Sequence, residues 1–176
     1  IGMDVDGNFI AKSYTGSEQI ANSNYTLPTN EWVHVAGIFK GTSVDLYVNG
    51  VKVGDSLNWS NNNQNNQKIY VGYGQLNGSI HYFKGKVDEV RIWDDERTET
   101  EIQENINDTL KGEESDLEVY YRFDHVADTI LTDLTSNNNH GSLINMNDDD
   151  WVSSDWTYGF PYVTTTEISS ITASTA

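Results

Sequence analysis

Residues 32–53 read WVHVAGIFKGTSVDLYVNGVKV, and this stretch decides the fold. Aliphatic residues from Val44 to Val48 alternate with polar or amphipathic ones, which is the period of a strand buried on one side. Asn49-Gly50 follows at once, and this pair readily supplies the two positive φ values of a type I′ turn. The alternation resumes from Val51 to Val53, so the stretch predicts a β-hairpin.

Short strand patterns separated by Gly, Asn and Asp turns continue on both sides of this hairpin, and one helix interrupts them. Thr98 and Glu101 form a capping box, an apolar stripe of Ile102, Ile106 and Leu110 follows, and Lys111-Gly112 predicts the helix end. Trp59 to Gln67 is nearly all Asn and Gln, which predicts a long polar loop. The sequence therefore predicts an all-β fold, an antiparallel β-sandwich of jelly-roll type with one short helix.

Composition excludes several classes of partner and chemistry. The chain has 176 residues, with 10 Lys and Arg against 27 Asp and Glu, for a formal net charge of -17. Such a surface repels phosphate backbones and anionic lipid, so we expect no nucleic acid partner and no membrane insertion. The chain has no Cys, which excludes thiol catalysis and thiolate zinc sites.

The domain prediction follows from a change in composition near Tyr158. We expect residues 1–157 to form the β-sandwich, 158–163 to be a linker, and 164–176 to open a following module. The last segment is rich in Thr, Ser and Ile and contains no aromatic residue. We therefore expect neighbouring domains of the same chain as partners.

Three segments carry a family resemblance: Glu31–Ala36, Val44–Gly50 and Gly85–Trp93. In this order they resemble the laminin-G-like domains of the concanavalin-A-like lectin and glucanase superfamily, which recur in large secreted bacterial proteins. Thr98–Gly112 and Leu117–Asp124 are similar to that family's helix and penultimate strand. The resemblance implies a secreted or cell-surface protein, and a domain that lacks the family's first strands.

Enzymatic hydrolysis is the first function to weigh, because some members of that superfamily cleave β-glucans with paired carboxylates on one strand. The motif Glu-x-Asp-x-x-Glu does not occur in this chain. The nearest cluster, Asp94-Asp95-Glu96, precedes the helix and is interpreted as a loop and helix-dipole feature. The sequence favours a non-catalytic module over a glycoside hydrolase.

Two non-catalytic functions remain, a binding or adhesion module and a purely structural spacer. Sugar-binding faces combine exposed aromatic rings with amide hydrogen-bonding groups. The predicted ligand is therefore a glycan or cell-surface polymer, and Tyr47, Tyr70 and Tyr82 could extend the same face. The predicted ligand-binding residues are Trp59, Asn61, Asn62, Asn63 and Tyr73.

Two aspartates are candidate metal ligands. Asp88 has the strand parity of Val90 and Ile92, so it points inward if those residues face the core. An inward carboxylate needs backbone amide donors or a cation. The resemblance, in which residues 133–143 are similar to the family's closing turn, permits a structural Ca²⁺ with Asp133 as a second ligand. For Asp88, amide donors are favoured slightly over a metal.

Overall fold

The computed structural model describes residues 1–14, 18–58, 68–76, 79–124, 129–146, 150–153, 163–165 and 170–173. The chain divides into two compact units. Unit 1 comprises Ile1–Asn65 and Asp95–Asp108, and unit 2 comprises Asn66–Asp94 and Thr109–Ala176. Each unit is thus built from two separate stretches of the chain.

In its described part, unit 1 has two three-stranded antiparallel sheets. Their strands, in sheet order, are β1 (Gly2–Met3), β2 (Asn8–Tyr14) and β3 (Glu18–Thr26), then β4 (Val35–Lys40), β5 (Ser43–Val48) and β6 (Val51–Asn58). Both sheets contribute to one buried apolar cluster, so they pack face to face as a small sandwich. The cluster consists of Phe9, Ala11, Ala21, Val44, Leu46, Val48 and Val53.

The hairpin predicted from residues 32–53 is confirmed. Asn49 and Gly50 have φ values of 49° and 76°, as a type I′ turn requires, and β5 pairs with β6 in antiparallel register. The aliphatic residues of β5 face the buried cluster. Turn chemistry and strand alternation therefore agree with the observed register.

The prediction that β5 is buried on one side only is wrong. Asp45 and Tyr47, on its second face, are only 3% and 5% exposed. Tyr47 packs against Ile38 of β4 and Ile102 of the helix. The alternation identified the residues that share this face, but not the helix that covers it.

Two lysines compensate the burial of Asp45. Lys40 Nζ lies 2.8 Å from its Oδ2, and Lys52 Nζ lies 2.9 Å from its Oδ1. Burial by itself raises the pKa of Asp45, but hydrogen bonds from Lys40, Ser56 and Lys52 outweigh it and hold the pKa well below its usual range. The carboxylate therefore stays ionised inside the unit.

The helix, α1 (Glu99–Asn105), begins as the sequence predicted and ends earlier. Thr98 Oγ1 accepts a hydrogen bond from the Glu101 N–H, and the Glu101 carboxylate accepts one from the Thr98 N–H, so the capping box is confirmed. The predicted end at Gly112 is wrong, because Leu110 packs with Leu117 and Tyr120 in unit 2. Only Ile102 of the predicted stripe is buried in the helix itself.

The described part of unit 2 consists of short antiparallel strands. β8 (Tyr73–Leu76) pairs with β9 (Ser79–Tyr82), β10 (Val90–Trp93) with β11 (Leu117–Tyr121), and β14 (Trp151–Ser153) with β15 (Val163–Thr165). A four-stranded sheet has the order β12 (Ile130–Leu131), β13 (Gly141–Ile144), β16 (Ser170–Ala173) and β7 (Ile69–Val71). The main core cluster consists of Val119, Tyr121, Phe123, Leu131 and Trp151.

Over the described residues, the predicted antiparallel all-β class with one short helix is confirmed. The assignment of 164–176 to a following module stays a prediction. The backbone of residues 170–173 nevertheless pairs with two strands of unit 2.

Candidate ligand-binding surface

Three tyrosines lie close together at the junction between β7 and the β8–β9 hairpin. Gly72 separates β7 from β8 at a φ of 77°, a left-handed value that favours glycine, and its carbonyl accepts a 2.8 Å hydrogen bond from the Phe83 N–H. In the hairpin, Tyr73 is directly opposite Tyr82. This local geometry places Tyr70, at the centre of β7, next to the hairpin.

We call Tyr70, Tyr73 and Tyr82 the tyrosine cluster. The Tyr73 ring centroid lies 5.0 Å from that of Tyr70 and 6.0 Å from that of Tyr82, with interplanar angles of 51° and 57°. Tyr70 and Tyr82 are 46% and 55% exposed, whereas Tyr73 between them is half-buried. The cluster is therefore a continuous aromatic surface of tilted rings, open to solvent at both ends.

An exposed isoleucine extends the cluster along β9. Ile80 and Tyr82 are two residues apart in one strand, so they lie on the same face of the hairpin. Ile80 is 53% exposed. Aromatic and aliphatic groups that stay open to water on one face are typical of a binding surface rather than a core.

The structure places only part of the predicted ligand site. Tyr73 is the central ring of the cluster, whereas Trp59, Asn61, Asn62 and Asn63 lie outside the described residues. Tyr47 does not extend a ligand face, because it is buried in unit 1. Tyr70 and Tyr82 do share a surface with Tyr73.

A cluster of charged side chains, which the sequence did not predict, lies at one end of the β10–β11 pair. Glu89 accepts 2.6 Å and 2.8 Å hydrogen bonds from Arg91 Nη2 and the Tyr120 hydroxyl. Arg122 Nη2 lies 2.6 Å from Asp124 Oδ2 and its Nε lies 3.9 Å from Glu89 Oε1. We call Glu89, Arg91, Tyr120, Arg122 and Asp124 the charge cluster.

Asp88 lies beside the charge cluster rather than in a strand. The strand β10 begins at Val90, and Glu89 has a φ of 53°, which breaks the alternation on which the parity argument depended. Asp88 Oδ1 accepts a 2.9 Å hydrogen bond from the Glu89 N–H. Burial, reinforced by the negative charge of Glu89, raises the pKa of Asp88 to about 7.

Asp133 is fully buried, and four donors surround its carboxylate. Oδ1 accepts hydrogen bonds from the N–H groups of Tyr120 and Thr135, both at 3.0 Å. Oδ2 accepts the Thr135 hydroxyl at 2.8 Å and the Asn139 N–H at 2.9 Å. This carboxylate therefore organises the closing turn through protein donors.

These surroundings do not form a calcium cage. Calcium takes six to eight oxygen ligands, usually several carboxylates. Among the described residues, no three His, Asp or Glu side chains are arranged to hold a metal ion. Calcium at Asp88 and Asp133 therefore stays a prediction without support from the side chains that are described.

Comparison with known proteins gives one match. Residues 1–103 match a laminin-G-type family model described as the concanavalin A-like lectin/glucanases superfamily. No curated protein and no solved structure matches the chain. In the described part of the chain, no helix has the length and apolar character needed to cross a membrane.

Proposed function

The chain belongs to the concanavalin A-like lectin/glucanases superfamily, and on that premise we propose that it is a non-catalytic extracellular module that binds glycans through the tyrosine cluster. Laminin-G-like domains are generally binding modules, and they are usually extracellular. The glycan ligand and the cell-surface setting are our proposal. The observation that supports it most is the solvent-open contact among the rings of Tyr70, Tyr73 and Tyr82.

The chemistry of a sugar ring fits this surface. One face of a pyranose presents C–H groups, which pack on an aromatic ring, while its hydroxyls need hydrogen-bonding partners at the edge. A tyrosine supplies both a large apolar face and a polar hydroxyl, and it loses little conformational entropy on binding. Because the three rings are tilted rather than coplanar, the cluster fits a short stretch of a single glycan chain better than the flat face of a sheet of parallel chains.

A glycan array with the full chain tests the proposal. We expect a defined set of glycans to bind, and Tyr82→Ala and Tyr70→Ala each to weaken the strongest ligand about tenfold, since a lost contact of about 1.4 kcal/mol is a factor of ten. Phenylalanine at either position should retain most of the affinity, because it keeps the ring. Tyr25→Ala is the matched control, since Tyr25 is 40% exposed in unit 1 and lies outside the cluster.

Two results would contradict this assignment. Binding that survives both Tyr70→Ala and Tyr82→Ala would place the ligand elsewhere, for example on residues 59–63. An array with no binder would favour the structural spacer. Melting temperatures of each variant separate loss of the site from loss of the fold.

We also expect no hydrolysis of polysaccharides. The sequence has no Glu-x-Asp-x-x-Glu motif that would supply a paired acid and nucleophile, and the Glu89 carboxylate instead accepts hydrogen bonds from Arg91 and the Tyr120 hydroxyl. Incubation with a polysaccharide panel, followed by reducing-end assays, measures this. Turnover that Glu89→Gln abolishes would show that the module is an enzyme.

Whether the protein binds calcium can be tested independently of the glycan ligand. We expect EDTA to leave the melting temperature unchanged, because the oxygens of Asp133 already have four donors. A rise in melting temperature when CaCl₂ is restored, abolished by Asp88→Asn, would establish the calcium site.

A further inference from the structure

The strand β16 lies in the interior of a sheet. It is antiparallel to β13 on one side and to β7 on the other. Thr172 shows this double pairing, because it is opposite Ser142 in β13 and opposite Tyr70 in β7. Four residues of β16 have partners in β13, and three of them also have partners in β7.

Removing β16 would leave a gap of a defined width. Neighbouring strands lie about 4.8 Å apart, so β13 and β7 are separated by about 10 Å with one strand between them. Both would then present unpaired N–H and C=O groups toward the same empty strand position. Unpaired strand edges bind extended peptides through main-chain hydrogen bonds.

We infer that the gap between β13 and β7 is a strand-acceptor site, occupied in this structure by Ser170–Ala173, and that the same segment of a second copy of the chain can occupy it. The contacts between β16 and its two neighbours are main-chain pairings, which a second copy reproduces in full. Residues 168–176, ISSITASTA, contain no charged residue, no Pro and no Gly, so the segment has nothing that opposes strand addition. Exchange of one identical element between two copies gives a dimer without any new interface chemistry.

The resident segment competes with an incoming one. A tethered strand has a high effective concentration, so it excludes a free peptide at ordinary concentrations. Exchange between copies therefore becomes visible when the resident strand is disabled or when the chain is concentrated. This inference does not depend on the proposed glycan site.

The first experiment disables the resident strand in the full chain. Thr172→Pro removes one N–H and cannot be accommodated between two strands, whereas Thr172→Val keeps the strand and serves as the matched control. We expect a fluorescein-labelled peptide of residues 167–176 to bind the Thr172→Pro chain at least about tenfold more tightly than the wild-type or Thr172→Val chain. The same peptide carrying proline at position 172 should not bind. A folded Thr172→Pro chain that does not bind the peptide would overturn the inference.

The second experiment needs no disruptive substitution. Leu143 and Ile171 are directly opposite each other, and the chain has no cysteine of its own. Chains with Leu143→Cys mixed with chains with Ile171→Cys should form a disulfide-linked dimer at high concentration, since opposite residues of antiparallel strands have a bridgeable Cα separation. Ser142→Cys chains mixed with Ile171→Cys chains are the control, because these positions are out of register.

A third chain carrying both Leu143→Cys and Ile171→Cys completes the test. If it closes an internal disulfide while the mixed single-cysteine chains give no dimer, the segment stays within its own chain and exchange is refuted. If no disulfide forms in either case, the strand placement itself is overturned. A dimer from the matched pair alone supports the strand-acceptor site.

Discussion

At the scale of single residues, the buried Asp133 and the half-buried Asp88 differ in the number of hydrogen-bond donors around their carboxylates. Asp133 accepts four hydrogen bonds from protein donors, and these connect it to Tyr120, Thr135 and Asn139. Asp88 accepts one from the adjacent N–H and faces Glu89 and Asp124 as well as Arg122. The ionised form of Asp88 is therefore poorly stabilised. Both oxygens of Asp133, by contrast, have protein donors.

Replacing Asp133 tests the first half of this contrast. Asp133→Ala leaves the N–H groups of Tyr120 and Thr135 buried without their acceptor and also removes the acceptor of the part-buried Asn139 N–H. We therefore expect the free energy of unfolding to fall by about 3 kcal/mol. Urea unfolding measures the change. Glu113→Ala, an exposed carboxylate in a nearby loop, should change stability by less than about 0.5 kcal/mol. Equal effects of the two substitutions would contradict the assigned role.

The pH dependence of stability tests the second half. The folded pKa of Asp88, about 7, exceeds the unfolded value of 3.8, so the folded state holds a proton that the unfolded state releases. Its contribution to stability is present at low pH and is lost as the pH rises from about 4 to about 7. We expect the melting temperature to fall over this range, and Asp88→Asn to show a smaller fall. Carboxyl groups with a lowered folded pKa, such as that of Asp45, contribute stability that is lost only as the pH falls below about 4.

A wild-type profile and an Asp88→Asn profile that are parallel between about pH 5 and pH 8 would show that Asp88 titrates normally. The hydrogen bonds and ion pairs of Glu89 with Arg91, Tyr120 and Arg122 would then have to be reconsidered as well. The difference between the two profiles is the useful quantity, because all other titrating groups are common to both proteins.

At the scale of elements, α1 depends on its partner more than on its own length. Helices of seven residues are marginal alone, and the capping box accounts for only the first turn. Ile102 packs on Ile38 and Tyr47, and Gln103 Nε2 donates a 2.9 Å hydrogen bond to the Gly50 carbonyl at the β5–β6 turn. Packing on the sheet therefore stabilises α1.

Truncating the buried side chain of the helix measures that packing. We expect Ile102→Ala to lower the free energy of unfolding by about 2–4 kcal/mol, from lost burial and an unfilled cavity. Glu104→Ala, on the exposed side of the same helix, is the control and should be nearly neutral or slightly favourable, because alanine is the best helix former. A small effect of Ile102→Ala would mean that the sheet face under α1 is stable without it.

Local patterns predicted those elements whose determinants are local. Strand alternation in Val44–Val48, the Asn49-Gly50 turn and the Thr98 capping box all follow from near neighbours in sequence, and all three are observed. The end of α1 was not predicted by its local pattern. Leu110 continues the helical spacing of Ile102, but it belongs to unit 2, where it is buried with Leu117 and Tyr120.

The candidate site shows the same difference between features that a local pattern predicts and features that depend on the fold. Each tyrosine of the cluster could be identified as an aromatic strand residue, but the contact between Tyr73 and Tyr82 depends on the register of the β8–β9 hairpin. The charge cluster was not predicted. It depends on the left-handed backbone of Glu89, and glutamate has no preference that would signal such a conformation.

At the scale of the whole molecule, the net charge of -17 is the dominant property. Like charges in a compact state repel one another, and salt screens the repulsion. Raising the ionic strength from near zero to about 0.15 M should therefore raise the melting temperature. Replacing the exposed Glu104 and Glu113 by Gln should reduce this dependence. A melting temperature that falls with salt would mean that ion pairs such as Lys40–Asp45 outweigh the overall repulsion.

The division of unit 1 into two stretches has a consequence for its synthesis on the ribosome. Ile38 and Tyr47 are made long before Ile102, the residue that covers them. At about 5–20 residues per second, this interval lasts roughly 3–11 s. During translation, the nascent chain therefore exposes the apolar side chains of Ile38 and Tyr47, which the finished protein has covered. A holding chaperone at the ribosomal exit would have its binding surface there, and only until residue 102 emerges.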